Sequence, residues 1–420
     1  MVYAKTDLPF LRRDLHQHAE PGFCEIRTAS ILEEKLETLP VTILKGEEIQ
    51  DRSAIVNYPS DAELNHWYDL AVTGGIEEPR ARYFRDHGTA MIVVMKGNRP
   101  GPTWGLRADI DALRLEEPTD HSHLPARLGF NSRTGAMHAC GHDAHMSIAV
   151  GLLESLATTG CDFAGTLKVV FQPAEEGVRG ADTILRTGAT DDVTTMLGLH
   201  VDGPSPIGEV TASTVGGMAV NGFLVEFQGK TSHASMAPEQ GRNALLAAAA
   251  ASLGIMALPR FGTADTRLNV GVLHAGDAVN IVPAHATMEA EARATDDDVL
   301  EDLVSRVEQV LDGTASAYGV SVKRSIMGHA VTVRPDADLV DAIAAVAAAT
   351  QGVTEVKRTA PMGASDDASL FIRNTQKHGG QGAFIMVGAN SPAPHHNNYF
   401  DVDEQAIAIG EGVLERLIRG

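Results

Sequence analysis

Cysteine is scarce in this chain of 420 residues: Cys24, Cys140 and Cys161 are too few for a disulfide framework, so we expect a reducing compartment. Basic residues are also few, with 34 Lys and Arg against 55 Asp and Glu and a formal net charge of -21. That charge argues against nucleic acid or an anionic membrane as partner, because both require a basic patch. No apolar run approaches the roughly 20 residues of a membrane helix, and the N-terminal stretch MVYAKTDLPFLRRDLHQHAE lacks the apolar core of a signal peptide. We therefore expect a soluble cytoplasmic protein.

Apolar segments typical of strands alternate with helical patterns over most of the chain. The strand-like segments include AMIVVMKG, TWGLRADIDAL, GTLKVVFQPAEEG, TTMLGLHV and GAFIMVGAN, with helical patterns such as AHMSIAVGLLESLATT between them. This alternation predicts an α/β domain with a mostly parallel sheet that is covered by helices. Helical periodicity also occupies residues 7–39, whereas the polar and aromatic residues 47–88 indicate an insertion with one or two short helices.

The pattern changes near residue 213, where the order becomes strand, helix, strand, strand, helix and strand. This order is typical of a small α+β domain of the ferredoxin-like kind. After about residue 329 the α/β pattern resumes with LVDAIAAVAAAT. The simplest organisation is an α/β domain of residues 1–212 and 329–420, interrupted by an α+β domain of residues 213–328.

The stretch MHACGHDAHM, residues 137–146, places a thiol, three imidazoles and a carboxylate close together. Residues two apart on an α-helix point about 200° away from each other, so Cys140 and His142 can face one ion only from an irregular backbone. Gly141 permits such a backbone, and Asp143 stands where the N-cap of the next helix belongs. A buried free cysteine beside core histidines is the alternative interpretation.

Three further stretches place candidate ligands at or after predicted strands. VVFQPAEEG presents Glu175 and Glu176, which leave an extended backbone in opposite directions, so that one can bind metal while the other acts as a base. LGLHV contains His200, and PHHNNYFDVDE contains His395 and His396. Taken singly, these residues are compatible with solvated loop acids and a core histidine. Together they predict a metal site, because the carboxyl ends of parallel strands meet at one edge of a sheet.

The types of ligand narrow the choice of metal. A thiolate, several imidazoles and a carboxylate favour Zn, Mn, Co or Fe and disfavour Ca and Mg. A thiolate is able to bridge two ions, and two ions roughly 3.5–4 Å apart polarise a carbonyl and activate water near neutral pH.

Six motifs follow one another in an order that resembles a known family: RADIDAL, MHACGHDAHM, FQPAEEG, GKTSHASMAPEQGRNALLAA, NIVPAHATMEAEAR and HHNNYFDVDE. The family is peptidase family M20, the aminoacylase and carboxypeptidase-G family of two-metal peptidases, and the chain is most similar to its amidohydrolase branch. The resemblance covers essentially the whole chain. It implies hydrolysis of the amide bond of an N-acyl amino acid, with p-aminobenzoyl-glutamate as the first expected substrate. Hippurate-like compounds, N-acetyl amino acids and dipeptides are the alternatives.

The resemblance also implies a role for individual residues and for the smaller domain, which serves as a lid or dimerisation domain. Two divalent ions, Mn or Zn with Co as an alternative, are then held by Cys140, His142, Glu176, His200 and His396, with His395 as the alternative to His396. Glu175 matches the general base, His233 the histidine that stabilises the oxyanion, and Asn280 and Arg293 the contacts to the substrate carboxylate. Around the ligands we expect orienting and pocket-wall residues, namely Asp109, His138, Asp143 and His145. Surface polar residues of a sheet are the alternative for Asn280 and Arg293.

Two positions depart from the pattern of the wider family. The chain has Arg107 and Asp109 where many relatives have His-x-Asp, so His142 is expected to supply the lost ligand. Asp366 stands where Glu is more usual. The resemblance further implies a homodimer, or a heterodimer with a related B-type subunit. The rival interpretations are a structural metal protein and a non-catalytic partner subunit, and the presence of Glu175 as a base argues against both.

Overall fold

The computed structural model describes residues 5–420, apart from the side chain of Ala54. Residues 1–4, which the predicted α/β domain includes, lie outside the described residues. The strands are β1 Val41–Lys45, β2 Met91–Lys96, β3 Arg99–Asp109, β4 Ala164–Gln172, β5 Thr195–Asp202, β6 Glu209–Val215, β7 Ala219–Gln228, β8 Thr266–Ala275, β9 His285–Ala294, β10 Ser321–Ala330, β11 Glu355–Pro361 and β12 Gln381–Gly388. The helices are α1 Leu8–Gln17, α2 Ile26–Leu36, α3 Asp61–Thr73, α4 Glu78–His87, α5 Leu124–Leu128, α6 His142–Thr158, α7 Gly180–Leu185, α8 Ala244–Met256, α9 Asp297–Tyr318, α10 Ala337–Ala348, α11 Ala368–Lys377 and α12 Gln405–Arg419.

The chain divides into two compact units. The larger unit consists of the chain up to Val215 together with Val333–Met362 and Asp366–Gly420, and the smaller unit of Gly216–Thr332 and Gly363–Ser365. Within residues 5–420, no helix combines the length and the apolar character that a membrane span requires.

The larger unit is built around a sheet of eight strands in the order β1-β2-β4-β3-β5-β12-β6-β11. Its centre is parallel, since β3 pairs in parallel with β4 and β5, and β5 with β12. Antiparallel pairs occur between β1, β2 and β4 and between β12 and β6. Consecutive residues of β5 are buried from Thr195 to Val201, which requires cover on both faces of the sheet. The predicted α/β fold with a mostly parallel sheet is confirmed.

Three strands of this sheet were not predicted: β1, β6 and β11. β11 is an edge strand with mostly exposed side chains, so its sequence EVKRTAP does not need an apolar face. β6 is buried but is filled with small polar residues such as Thr211 and Ser213. The insertion of residues 47–88 does contain two helices, α3 and α4, as predicted.

The smaller unit follows the predicted order of strand, helix, strand, strand, helix and strand. Its four antiparallel strands are arranged as β10-β7-β9-β8. Phe223, Val225 and Phe227 alternate along β7 and belong to the same core as the alanines of α8 and the apolar residues of α9. This is the separate ferredoxin-like core that the sequence predicts.

Candidate metal centre

The candidate site lies in the larger unit at the carboxyl ends of its central strands. Asp109 is the last residue of β3, and His200 lies near the end of β5. Glu175 and Glu176 form a short 3-10 turn just after β4. The edge of the sheet therefore brings carboxylates and an imidazole together, as parallel strands do in open α/β folds.

Cys140 and His142 lie at this edge at the end of a long connecting segment. They do not directly follow a strand, because residues 110–139 lie between the end of β3 and Cys140. Gly141 has φ +88° and is the N-cap of α6, which begins at His142. Cys140 therefore lies outside the helix, and both side chains can face the site. The prediction that Asp143 is the N-cap is wrong, since Asp143 lies inside the first turn.

The donor atoms of the predicted ligands lie close to one another. The Cys140 Sγ is 3.5 Å from His200 Nε2, and His396 Nε2 is 3.2 Å from Glu176 Oε2. Donor atoms of Cys140, His142 and Glu176 all lie within 4.8 Å of one another. Cys140 thus belongs to the cluster with His142 and Glu176 and also contacts His200.

His142 carries the clearest sign of a missing ligand. Its Nδ1 donates to the carbonyl oxygen of Asp111 at 2.8 Å, which leaves the lone pair on Nε2. That Nε2 is buried without a hydrogen-bond partner and lies 3.7–3.8 Å from carboxylate oxygens of Asp109, Glu175 and Glu176. A backbone carbonyl that fixes the tautomer and a free inner nitrogen are typical of a metal-binding histidine. The donor set therefore fits a divalent transition metal.

The charges of the site lead to the same conclusion. Burial alone would raise the pKa of the Cys140 thiol, but the imidazole of His200, with the other histidines around the sulfur, lowers it well below its usual value. The pKa of His396 rises to about 10 because its ring hydrogen-bonds Cys140 and Glu176. Protons on His200 and His396, whose pKa values rise to about 9 and about 10, thus balance a thiolate and several carboxylates, and divalent cations would supply the same positive charge.

Two other histidines of the cluster have no lone pair to offer. His145 Nδ1 donates to Asp109 Oδ1 at 2.6 Å, and its Nε2 accepts from the Val201 N–H at 2.9 Å. Burial lowers the pKa of His145 to about 4, so that the ring is neutral. The Nε2 of His395 accepts from the Gly203 N–H at 3.1 Å, which turns its Nδ1–H towards the Cys140 sulfur 3.5 Å away. His396, and not His395, therefore faces Glu176.

Glu175 is buried beside the ligands without an ion-pair partner closer than 3.7 Å among the described residues. Burial, and then the carboxylates of Asp366 and Glu176, raise its pKa well above the usual value. A carboxylate with a raised pKa is suited to accept a proton and to release it again.

Arg107 holds the carboxylates around Glu175 in place and was not predicted to do so. Its buried guanidinium donates to Asp109, to Asp366 Oδ1 at 2.9 Å and to Asp367 Oδ1 at 3.1 Å. The fully buried arginine thus supplies a permanent positive charge beside Glu175. The departures at Arg107 and Asp366, noted separately in the sequence, form one ion pair.

Asp143 and His138 lie behind the ligands. Asp143 Oδ2 accepts from Arg12 Nε at 2.7 Å and from His16 Nδ1 at 2.8 Å, so it anchors the first turn of α6 to α1. Both ring nitrogens of His138 are buried and have no partner among residues 5–420. Burial lowers the pKa of His138 to about 4, so this ring is neutral, and its centroid is 6.4 Å from that of His142.

The buried pair of His16 and Asp143 makes stability depend on pH. Burial opposes the charge on His16, but hydrogen bonds to Asp143 and Glu117 raise its pKa from 6.5 to about 9. Because the pKa is raised in the folded state, the stabilisation is fully present below about pH 6.5 and is lost as the pH rises through about 9. We expect His16→Asn to lower the free energy of unfolding of the metal-free protein by on the order of 3 kcal/mol near pH 6 and by much less above pH 9.

The measurement is urea unfolding at both pH values, with His18→Asn as the matched control. His18 is partly exposed and pairs with Asp14 at the end of the same helix. Equal destabilisation by His16→Asn at the two pH values would contradict the assignment.

The remaining predicted residues lie in the smaller unit. His233 Nδ1 accepts from the N–H groups of Ser235 and Met236 at 3.3 and 3.2 Å, which places its proton on Nε2. The Ala234 N–H donates to the Asn280 carbonyl at 3.0 Å, so the two predicted residues lie on neighbouring segments. A separate ion pair lies on β9, where Arg293 donates to both carboxylate oxygens of Glu291 at 3.0 and 2.9 Å. This partly exposed pair within one strand is also what the alternative of a surface polar residue predicts for Arg293, so its contact with a substrate stays a prediction.

Comparison with known proteins gives consistent matches over the chain. Residues 105–420 match the family model of peptidase family M20/M25/M40. The chain is 37% identical over 407 residues to the A-type chain of p-aminobenzoyl-glutamate hydrolase of Escherichia coli (strain K12), covering 96% of this chain and 93% of that protein. It is also 37% identical over 405 residues to indole-3-acetyl-aspartic acid hydrolase of Enterobacter agglomerans, again covering 96% and 93%.

A solved structure extends the match to three dimensions. The crystal structure of aminobenzoyl-glutamate utilization protein from Klebsiella pneumoniae superposes with a TM-score of 0.83 at 30% identity, over 98% of this chain and 95% of that chain. The resemblance indicated by the six motifs is thereby confirmed at the level of the family. The chain belongs to peptidase family M20/M25/M40 and is a hydrolase of amide bonds.

Proposed function

We propose that this chain is a metal-dependent amidohydrolase that cleaves the amide between an aromatic acyl group and an acidic amino acid. The first candidate substrate is p-aminobenzoyl-glutamate, which would give p-aminobenzoate and glutamate. The observation that carries the proposal is the buried convergence of Cys140, His142 and Glu176 beside an uncommitted Glu175. The substrate class rests on the names of the two relatives at 37% identity, whose substrates are acyl derivatives of glutamate and of aspartate.

Two divalent ions are proposed, Mn or Zn with Co as an alternative. Their ligands would be Cys140, His142, Glu176, His200 and His396. The position of the Cys140 thiolate supports a shared ligand, because it contacts His200 and also clusters with His142 and Glu176. When bound, the ions would polarise the amide carbonyl and lower the pKa of a water molecule.

Two side chains have separate roles in this proposal: Glu175 transfers the proton, and His233 stabilises the developing negative charge. Glu175 takes a proton from the attacking water, whose oxygen bonds to the carbonyl carbon, and delivers that proton to the nitrogen as the C–N bond breaks. His233 keeps a proton on Nε2 and in this proposal donates a hydrogen bond from that N–H to the developing oxyanion, a contribution of roughly 2 to 4 kcal/mol for one such donor.

The substrate carboxylate requires a basic partner, because the overall charge of -21 repels an anion. We assign this role to Arg293, and we propose Asn280, which lies beyond the other end of β9, as a second substrate contact. The pair of Arg293 with Glu291 shows that this guanidinium can bind a carboxylate bidentately, and in this proposal the substrate carboxylate displaces Glu291. Asp109, His138, Asp143 and His145 are proposed to orient the ligands or line the pocket.

A second candidate substrate is indole-3-acetyl-aspartic acid, because the relative named for it is as similar as the first. We further propose a cytoplasmic protein that forms a homodimer, or a heterodimer with a related B-type subunit. The first relative is named as one of the subunits of its hydrolase, which supports a partner chain.

The test is hydrolysis by the purified chain alone, after chelation and after re-addition of Mn²⁺ or Zn²⁺. We expect p-aminobenzoate to be released from p-aminobenzoyl-glutamate only when metal is restored. Cleavage of indole-3-acetyl-aspartate alone would move the proposal to the second candidate. Tight metal binding with no turnover of either compound, or of hippurate, N-acetyl amino acids and dipeptides, would contradict catalysis by this chain without a partner.

A further inference from the structure

A short segment between α1 and α2 has no part in the mechanism above, although it lies against the turn that carries Glu175 and Glu176. We name it the strap and define it as residues 20–25, with the sequence EPGFCE. The strap is buried at most of its positions. Its Pro21 pairs with Ala112 in an isolated bridge, and the Ala112 N–H donates to the Glu20 carbonyl at 2.8 Å. The strap therefore runs beside the residues that follow β3.

Two buried carboxylates bind three successive backbone N–H groups of the turn. Glu25 Oε1 accepts from the Ala174 N–H at 3.0 Å, and the Thr89 hydroxyl donates to its other oxygen at 2.6 Å. Asp111 accepts from the N–H of Glu175 at 2.9 Å and from that of Glu176 at 3.1 Å. Because buried N–H groups are costly without partners, these bonds determine where the turn lies.

The turn needs such support because its backbone is unusual. Ala174 has φ +53° and Val178 has φ +49°, a left-handed conformation that residues with a Cβ rarely adopt. Gly22 of the strap packs directly on this point, since a Cβ at Gly22 would lie 2.8 Å from the Ala174 Cβ. The guanidinium of Arg179, just after the turn, lies over the Phe23 ring at 5.2 Å.

We infer that Glu25 is a positioning residue which, through the Ala174 N–H and together with Asp111, holds the turn so that Glu176 faces the metal ligands while Glu175 stays free as the base. This inference rests on the proposed function for its kinetic consequence and on the turn geometry alone for its effect on metal binding. Without Glu25, the Ala174 N–H loses its acceptor and the left-handed residue is free to relax. Glu175 and Glu176 then move together.

The experiment compares Glu25→Ala, Gly22→Ala and Glu25→Gln in the full chain. We expect Glu25→Ala and Gly22→Ala to lower kcat by ~10–100-fold, with KM changed by less than ~3-fold, because a small misplacement of reacting groups is that costly. Their affinity for Co²⁺, measured by titration of the metal-free protein, should fall by ~10–100-fold. Glu25→Gln keeps an oxygen for the Ala174 N–H, so we expect it to restore most of both quantities.

The matched control is Glu20→Ala, a second buried carboxylate of the strap. Its oxygens accept from the N–H groups of Arg27 and Thr28 at 2.8 and 2.7 Å, at the start of α2, and do not bind the turn. We expect this variant to melt at a lower temperature while the folded protein keeps its kcat and Co²⁺ affinity.

Several results would overturn the inference: wild-type kcat and Co²⁺ affinity in Glu25→Ala and Gly22→Ala, the same losses in Glu20→Ala, or a Glu25→Gln variant no better than Glu25→Ala. If the wild-type chain hydrolyses no substrate, the proposed function fails, but the Co²⁺ affinities of the variants still decide the role of Glu25.

Discussion

Replacing Glu175 by Gln lowers kcat by ~10²–10⁴-fold while the bound metal stays in place, as expected for the loss of a general base. Gln has nearly the same shape as Glu but cannot accept the proton of the attacking water. The metal stays because Cys140, His142 and Glu176 form a group of donors without Glu175, whereas the group that contains Glu175 joins it to Asp366 and Asp367, which Arg107 already binds. The measurement is steady-state hydrolysis together with the metal content per chain.

Glu176→Gln is the matched control, since it changes the neighbouring residue in the same turn. The Glu176 carboxylate lies 3.2 Å from His396 and 3.8 Å from His142, so its loss should remove metal and activity together. If Glu175→Gln keeps the metal and Glu176→Gln loses it, the first residue acts as the base and the second as a ligand. A Glu175→Gln variant with near-wild-type rates, or one that loses its metal, would refute the assignment.

The sequence predicts which kinds of side chain form the site better than it predicts the contacts between them. Cys140, His142, Glu176 and His200 are recognisable because few other functions need thiol, imidazole and carboxylate groups together, although only Glu176 and His200 lie at or near the end of a strand. The geometry also favours His396 over His395 as the proposed metal ligand, because the Nε2 of His395 already accepts a hydrogen bond from the Gly203 N–H. Such a choice depends on backbone partners that a sequence does not display.

What could not be predicted depends on partners far apart in the chain. Arg107 and Asp366 are 259 positions apart, and Glu25 and Ala174 are 149 apart. Nothing in the local pattern of either partner indicates the other. The error at Asp143 has the opposite origin, since a local rule favoured an N-cap there. Instead the left-handed Gly141 is the N-cap, so the helix begins two residues earlier than predicted, and the Asp143 carboxylate binds Arg12 and His16.

The fold, like the site, was predictable only in part. The ferredoxin-like unit was predictable because its strands alternate and its helices have clear periodicity. β6 and β11 were not, because β6 has only Val210 and Ala212 of its apolar residues in the core among small polar ones, and β11 is an exposed edge strand. Strands of this kind are determined by their neighbours in the sheet and not by their own side chains.

Replacing Cys140 by Ser should abolish tight metal binding and with it hydrolysis. The thiolate is the softest donor of the cluster and carries a full negative charge, because the imidazole of His200 and its neighbours outweigh burial and keep the pKa of Cys140 low. A serine hydroxyl is neutral at the same pH and binds Zn²⁺ or Co²⁺ far less well. We expect the affinity for Co²⁺ to fall by at least ~100-fold, more than for a residue that only orients a ligand.

The near-ultraviolet thiolate-to-cobalt absorption band of the Co²⁺-loaded protein tests this directly, because the band requires a sulfur bound to the ion. Cys24→Ser and Cys161→Ser are the matched controls: each removes one thiol, and neither residue belongs to a donor cluster within the described chain. The band and the turnover should persist in both controls and vanish together in Cys140→Ser. If Cys140→Ser kept the band, the sulfur on the metal would belong to another cysteine, and the arrangement of Cys140 between His200 and Glu176 would have to be explained without a metal.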